Sequence, residues 1–447
     1  MSAVGRDGHT QPRLAENWKE SADGLTWEIA LRRNAFFHDG SPVDSVSVKE
    51  SLERSIAGSD RILSPGLDDI ASIETPNDHM VLIRLRNRST FLLDDLNLAI
   101  SKRTTAQVFG TGPYVVDSTS ADEVVMKSFP KYYGGTPAIE RIRLKVYPTV
   151  RTAWAAMMRG EIDFLYEVGE DTREFIQGES SVAVFPFLRG YVYAIGLNTK
   201  RNALHDDRVR RALNYAIDRA AIVDQAFKGH AIPASGPAWP EHWAYDPTVP
   251  AYSYDTGKAS ALLDSAGLPA ARSIGGSDLP PARLRFECLL PEGFALWEHI
   301  GLLVQRSLSE IGVDMSLTTL PVTRFNGRIG SGDFDAILSE FIVGNSPSRP
   351  FTFWYSTSKQ NVFGFKDPNL DRAWDGIRWA ANQTEYRNAF REFQMASTDS
   401  APAIFIALGE TTRAVSKRFQ VIAPAGSDIL HTIADWRLAG DSPRITN

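Results

Sequence analysis

Two carboxylates two positions apart, Glu161 and Asp163, are the pair that general acid–base chemistry would ask of this chain. They follow a short helical run and lead into a strand, where side chains at i and i+2 share a face. Two ionised acids placed so would repel each other rather than divide the acid and base roles. His38, beside the Asp39-Gly40 turn, is a possible base or metal ligand, but no second His or Cys stands at metal-ligand spacing. Gly110-Thr111-Gly112 suggests a phosphate cradle, yet it lacks a third glycine, a Lys-Ser/Thr pair and a helix opened by the loop. Cys288 is the sole cysteine, which excludes an intrachain disulfide and a cysteine-built zinc site. Neither a nucleophile elbow, an H-E-x-x-H helix nor a dinucleotide fingerprint occurs. The motifs therefore call for no catalytic group, no metal and no cofactor.

The elements that would position a binding site centre on Tyr193 to Gly229. Tyr193 to Leu197 reads as a short buried strand, and Asn198 breaks it. Asp206 and Asp207 stand where a helix begins, with Val209, Ala212, Leu213, Ala216 and Ile217 on its apolar stripe and Arg208, Arg210, Arg211 and Asn214 off it. Asp218 kinks that helix or caps a second one, carrying Ile222, Val223 and Phe227 and ending at Gly229. Elsewhere, Asp23-Gly24 marks a hairpin, Val46 to Leu52 begins a helix, and Ile70 to Arg86 forms a hairpin about Pro76-Asn77-Asp78. The spacing predicts a helix from Thr152 to Arg159, closed by Gly160. Pro233 to Pro250 is an ordered crossover rich in Pro and aromatics, and Ala270 to Pro281 an exposed loop. Arg283 to Thr319 is a β-α-β unit with Gly312 at the helix end, followed by a strand at Ala336-Ile337-Leu338. Pro402 to Leu408 and Arg413 to Phe419 read as two strands.

A chain of 447 residues exceeds one ordinary core and implies two or three domains. A net charge of −6 without clustered basic residues argues against nucleic acid as a partner. The sequence holds no apolar run long enough to span a bilayer. The first residues, MSAVGRDGHTQP, lack a basic-then-apolar export signal.

Several stretches together resemble one family. Asn198 followed by D-x-R-V-R-x-A-L-x-x-A-I-D-R-x-x-I, Pro12 to Trp18 as P-R-L-A-E-N-W, the F-H-D-G-S-P loop, Gly110 to Tyr114 as G-T-G-P-Y, Y-Y-G-G-T-P, Y-D-T-G-K-A-S-A-L-L-D-S-A-G and G-D-F-D at 332–335 occur in the order found in extracytoplasmic solute-binding proteins of peptide/nickel-type ABC importers (solute-binding family 5). The likeness runs from about Pro12 to Phe419 and implies a helix within Tyr254 to Gly267 and paired helices over Leu370 to Ser397. It implies an α/β, periplasmic binding protein-like fold (type II, cluster C-like) of two discontinuous lobes plus an inserted third domain. Residues 1–19, 109–232 and 412–447 would form domain I, residues 20–108 domain II and residues 233–411 domain III, the second ligand-binding lobe. The family's export signal and "L-D-P" opening are missing here, so domain I is expected to lack an edge strand or the start to be misassigned.

The resemblance further implies a monomer, periplasmic or extracellular at the membrane, that closes over a small-molecule or peptide-like solute and delivers it to an ABC permease. Competing readings are a hydrolase on the same scaffold and a sensor or chaperone without transport. Cleft candidates are Tyr191 and Tyr193 on the strand, Trp239 and Trp243 in the crossover, and Glu340, Asn345, Arg349, Phe353 and Trp354 after the G-D-F-D turn. Oligopeptide-binding members hold charged peptide termini with an Arg and an Asp whose places align with Ile337 and Val343, both apolar. Peptides with two charged termini are therefore not the expected ligand, and Glu340 or Arg349 is the expected polar anchor.

Overall fold

The computed structural model describes residues 1–169, 173, 176, 178–270 and 282–440. Its centre is a seven-stranded mixed sheet in the order Phe164–Leu165, Ala403–Ser416, Val182–Leu197, Ala336–Ile342, Leu284–Pro291 and Val313–Leu320, with Ala231–Pro233 added alongside Ala403–Ser416. The strands of the β-α-β unit pair in parallel, as its helix Ala295–Ser309 requires, Leu284–Pro291 also pairs in parallel with Ala336–Ile342, and the remaining pairs are antiparallel. Apolar runs such as Val192-Tyr193-Ala194-Ile195 suit a sheet covered on both faces. One face packs Val192, Ala194, Ile337, Phe341 and Phe405 against the helices Ser348–Trp354, Pro368–Arg378 and Gln383–Ser400. The other packs Tyr193, Ile195, Leu338 and Ile406 against the helices between 207 and 309.

Two strands are longer than their sequence suggests. The predicted short strand at Tyr193 is the end of a sixteen-residue strand, Val182–Leu197. The two strands expected around 402–408 and 413–419 are one, Ala403–Ser416, continuous through Gly409 to Thr412 and through 411/412, where a domain boundary was expected. The polar run reads as a loop, but Glu410 and Thr411 pair with Leu188 and Phe187 across the ladder.

Asp218 resolves as a cap: its carboxylate accepts from the Ala221 N–H and starts the helix Arg219–Phe227, whose left-handed end falls on Lys228 (φ 50°) before Gly229. Asp218→Ala should cost about 1 kcal/mol of stability in urea unfolding, and an unchanged midpoint would refute the cap's contribution. Arg210 and Asn214, off the apolar stripe, are nonetheless buried. Arg210 donates to the Ser400, Ala401, Leu204 and His205 carbonyls, and Asn214 to the Ala403 and Arg210 carbonyls. Arg219 similarly serves Ala234, Phe405 and Asn214. These side chains peg the helix pair to the long strand and satisfy carbonyls that burial would otherwise leave orphaned.

Residues 15–85 form a four-stranded antiparallel sheet, Ala15–Glu20, Thr26–Leu31, Met80–Leu85 and Ile70–Asn77, backed by the helix Ser45–Ala57. The β-α-β unit, the helix Thr256–Ser265 and the paired helices fall where expected. Of the loop expected at 270–281, residues 271–281 lie outside the described residues.

Candidate functional site

Val182–Leu197 and Ala403–Ser416 run side by side as an antiparallel pair. Their ladder shifts register twice, by one residue at Tyr193/Ala194 opposite Ala407 and Phe405, and in a wider break between Leu188 and Val192 on one strand and Leu408 and Glu410 on its partner. At the break the Gly190 carbonyl accepts from both Val343 and Gly344 N–H groups, each at 2.9 Å. A Cβ on Gly190 would lie 3.0 Å from the Gly344 Cα, so backbone meets backbone there. A bulge of this kind bends the strand and is a natural pivot.

Beside the break, the sheet alternation brings three predicted residues onto one face. Tyr193 stands opposite Glu340, and Tyr191 opposite Ile342. Arg189, one bulge residue back, donates from Nη1 to Glu340 Oε1 at 3.2 Å, and its guanidinium lies 4.8 Å from the Tyr191 ring centroid. Burial first, and the Glu340 acid opposite it second, push the Tyr193 phenol well above the ordinary range. The Trp297 ring meets Tyr193 edge-on at 6.4 Å and stacks with Phe294 at 4.6 Å, with Phe294 exposed. The arrangement is an ion pair floored by tyrosines with an aromatic shelf beside it, suited to a solute that is part polar and part flat.

The other predicted residues lie on the opposite face of the sheet or beyond it. Trp354 is fully buried among Phe341, Phe363 and Phe405. Phe353 is half-buried, edge-on to Phe341 at 5.8 Å. Trp239 is buried and donates from Nε1 to the Arg6 carbonyl at 2.9 Å, while the Trp243 N–H donates to the Asp7 carbonyl at 2.9 Å. Trp243 also stacks with Tyr386 at 4.9 Å and with His242, whose burial brings its pKa down to about 4. Asn345 is half-buried, its carbonyl close to Gly8. Arg349 donates to the Leu63 carbonyl and to Ser64 Oγ and faces Asp95 at 3.6 Å. Ile337 and Val343 belong to this buried face as well, so the residues that share a face with Glu340 are Leu338 and Ile342. Alternation with period two makes a one-residue difference in alignment a change of face.

The groups that invited catalytic readings are structural. Glu161 pairs with Arg159 at 2.6 Å in an exposed turn, and Asp163 pairs with Arg418 at 3.2 Å. His38 shares a 3.0 Å hydrogen bond with the Gly112 carbonyl and donates its N–H to Gly110, so the histidine and the glycine loop hold each other. The Cys288 thiol is buried, and burial pushes its pKa up, away from a reactive thiolate. Among the described residues, no three His, Cys, Asp or Glu side chains are grouped to hold a metal ion. No described helix is long and apolar enough to cross a membrane. A broad cleft lined by Met1, Arg54, Ser101 and Gly112 contains none of the predicted residues.

Sequence reasoning missed Arg189, Phe294 and Trp297. Their signals were present: an Arg-Gly pair directly before the strand, and two aromatics at i and i+3, with Phe294 just before the helix Ala295–Ser309 and Trp297 off its apolar stripe.

Residues 9–363 match the family model described as bacterial extracellular solute-binding proteins, family 5. A probable D,D-dipeptide-binding periplasmic protein of Escherichia coli (strain K12) is 25% identical over 419 residues, covering 88% of this chain and 78% of that protein. Among solved structures, NikZ from Campylobacter jejuni in complex with Ni(L-His) superposes with a TM-score of 0.84 at 23% identity, covering 98% of this chain and 92% of the other. The oligopeptide-binding protein AppA from Bacillus subtilis, in complex with a nonapeptide, superposes with a TM-score of 0.80 at 20% identity and the same coverage.

Proposed function

The chain belongs to the bacterial extracellular solute-binding proteins of family 5, and from that premise we propose how it works as the substrate-binding component of a peptide/nickel-type ABC importer. It captures a small solute between two lobes and passes it to a membrane permease, acting as a monomer outside the cytoplasmic membrane and leaving the solute chemically unchanged. The observation that carries the mechanism is the coincidence of the register break in both long strands with the Arg189, Tyr191, Tyr193 and Glu340 cluster. A solute seated on that cluster touches the sheet where the bodies pivot, so binding favours the closed arrangement in proportion to the contacts made only there. In this reading the lobes move about the stretches 188–192 and 408–410, inside the long strands. The solute's size class follows the relatives, whose names specify dipeptide, nonapeptide and nickel–histidine ligands, and this chain takes a peptide-like or chelate-sized solute.

Thermal unfolding against peptides, opine-like amino-acid conjugates and metal–histidine chelates tests this reading. A native-state ligand at ~100 times its Kd adds about 2.7 kcal/mol of stability, a clear rise in midpoint. At least one hit is expected, recovered unaltered after incubation. Conversion of a hit to product would refute capture without chemistry.

A further inference from the structure

The cluster at the pivot differs from the cation-binding acid that Glu340 suggests in sequence, because Glu340 already has its counter-ion. Its side chain is only 15% exposed, with Arg189 Nη1 on one oxygen and Tyr193 directly opposite across the ladder. A solute cation would have to displace an arginine that is itself held flat against Tyr191. Arg189 is the open member of the pair, at 39% side-chain exposure. A guanidinium offers five N–H donors in a rigid plane, and among the described residues the one hydrogen bond it makes is to Glu340. The ion pair and the ring restrict its rotation, so the remaining donors hold a fixed direction, the condition under which a fork binds a carboxylate with two parallel bonds.

Resting on the solute-capture reading above, we propose that Arg189 is the specificity-determining residue of the cleft and receives a carboxylate of the solute, with the Phe294–Trp297 shelf taking its flat or apolar part. Arg189 sits on the bulge beside Gly190, so a carboxylate bound there engages the pivot itself. The ligand class is a small organic acid, including peptides with a free C-terminus and amino-acid chelates. An uncharged sugar or a bare amine lacks the group that the fork fits. Glu340 holds the fork in place and leaves it free to accept the anion.

The test uses the whole chain and a panel of carboxylic acids, each matched with its own primary amide: alanine di- and tripeptides, histidine, and N-acetyl amino acids. Wild-type protein should show midpoint rises of several degrees with acids and none with their amides. Arg189→Gln should abolish the acid-dependent rises and Arg189→Lys should retain part of them. Because Arg189 is partly exposed, the solute-free midpoint should stay within about 2 °C of wild type, which separates lost binding from lost folding. Amides that stabilise as well as acids, or acid-dependent rises that survive Arg189→Gln, would overturn the assignment and leave solute capture standing. A panel without any stabilising member, in a protein that also ignores the broader set of solutes above, would overturn both.

Discussion

Trp354→Ala is expected to lower the unfolding free energy by about 3–5 kcal/mol, the range for emptying a large aromatic site in a well-packed core. The ring is fully buried, stacked 5.2 Å from Phe363 at an interplanar angle of 17° and flanked by Phe341 and Phe405. Phe341 and Phe405 come from different strands of the central sheet, so the cavity would loosen the packing that holds those strands in register. Trp354→Phe should cost much less, within about 1.5 kcal/mol, since it keeps most of the stack and removes an indole N–H that has no hydrogen-bond partner among the described residues. Urea unfolding of both variants measures the difference. The sequence placed Trp354 in the cleft, and the same variants weigh that role. With a solute identified, Trp354→Phe should bind within about threefold of wild type, less than 1 kcal/mol. A tenfold loss in a fully folded protein would return Trp354 to the cleft.

The fold was legible where local chemistry and long-range packing agree. The β-α-β unit at 284–320 carries a period-two strand, a helical stripe and a glycine at φ 77°, and each forms as its pattern requires. The aspartates that cap helices at 206 and 218 could likewise be read in place. The long strands were harder to read, because their middle residues are polar for reasons of position. Glu410 pairs with Arg173, and Arg413 with Asp428, contacts 237 and 15 residues apart that no local pattern displays. The candidate site was half legible. Tyr191, Tyr193 and Glu340 were found because they lie in recognisable strands, and they meet across the ladder. Trp239, Trp243 and Trp354 were chosen as aromatics in a loop and a turn, where sequence alone does not distinguish a ring facing a cleft from one sealed behind a sheet. Arg349 looked like an anchor, yet it serves the buried acid Asp95. Parity decided the outcome at Ile337 and Val343, and parity is invisible until the strand's register is known.

The acid beside Arg349 should make stability depend on pH in an unusual direction. Asp94 and Asp95 are buried where the 60–95 segment meets the turn that opens the helix Ser348–Trp354. Asp94 accepts from Thr10 and Ser346 hydroxyls at 2.5 and 2.6 Å, and Asp95 accepts from the Gly66 N–H at 2.7 Å and the Ser348 hydroxyl at 2.9 Å. Burial pushes the Asp95 carboxyl up to about 7, an effect that Arg349 and the two hydrogen bonds offset only in part and that Asp94 reinforces. Burial raises Asp94 as well. In the unfolded chain an aspartate loses its proton near pH 4, so between about pH 4 and 7 the native state holds a proton that the unfolded state has released. Stability from Asp95 is thus full below pH 4 and falls as pH rises to 7, by up to roughly 4 kcal/mol, then levels off. Asn at this position mimics the protonated acid, with its carbonyl accepting from Gly66 and its amide donating to Ser348. Asp95→Asn should therefore show no advantage over wild type at pH 4 and gain on it with each step toward pH 7, while Asp94 leaves a residual slope in both proteins. Asp95→Ala, which strands the Gly66 N–H and leaves Arg349 without its acid, should be weaker than Asp95→Asn at every pH, by about 1–3 kcal/mol. Urea unfolding at four pH values between 4 and 7 measures all three, and parallel slopes for wild type and Asp95→Asn would show that this carboxyl is not the group that holds the proton.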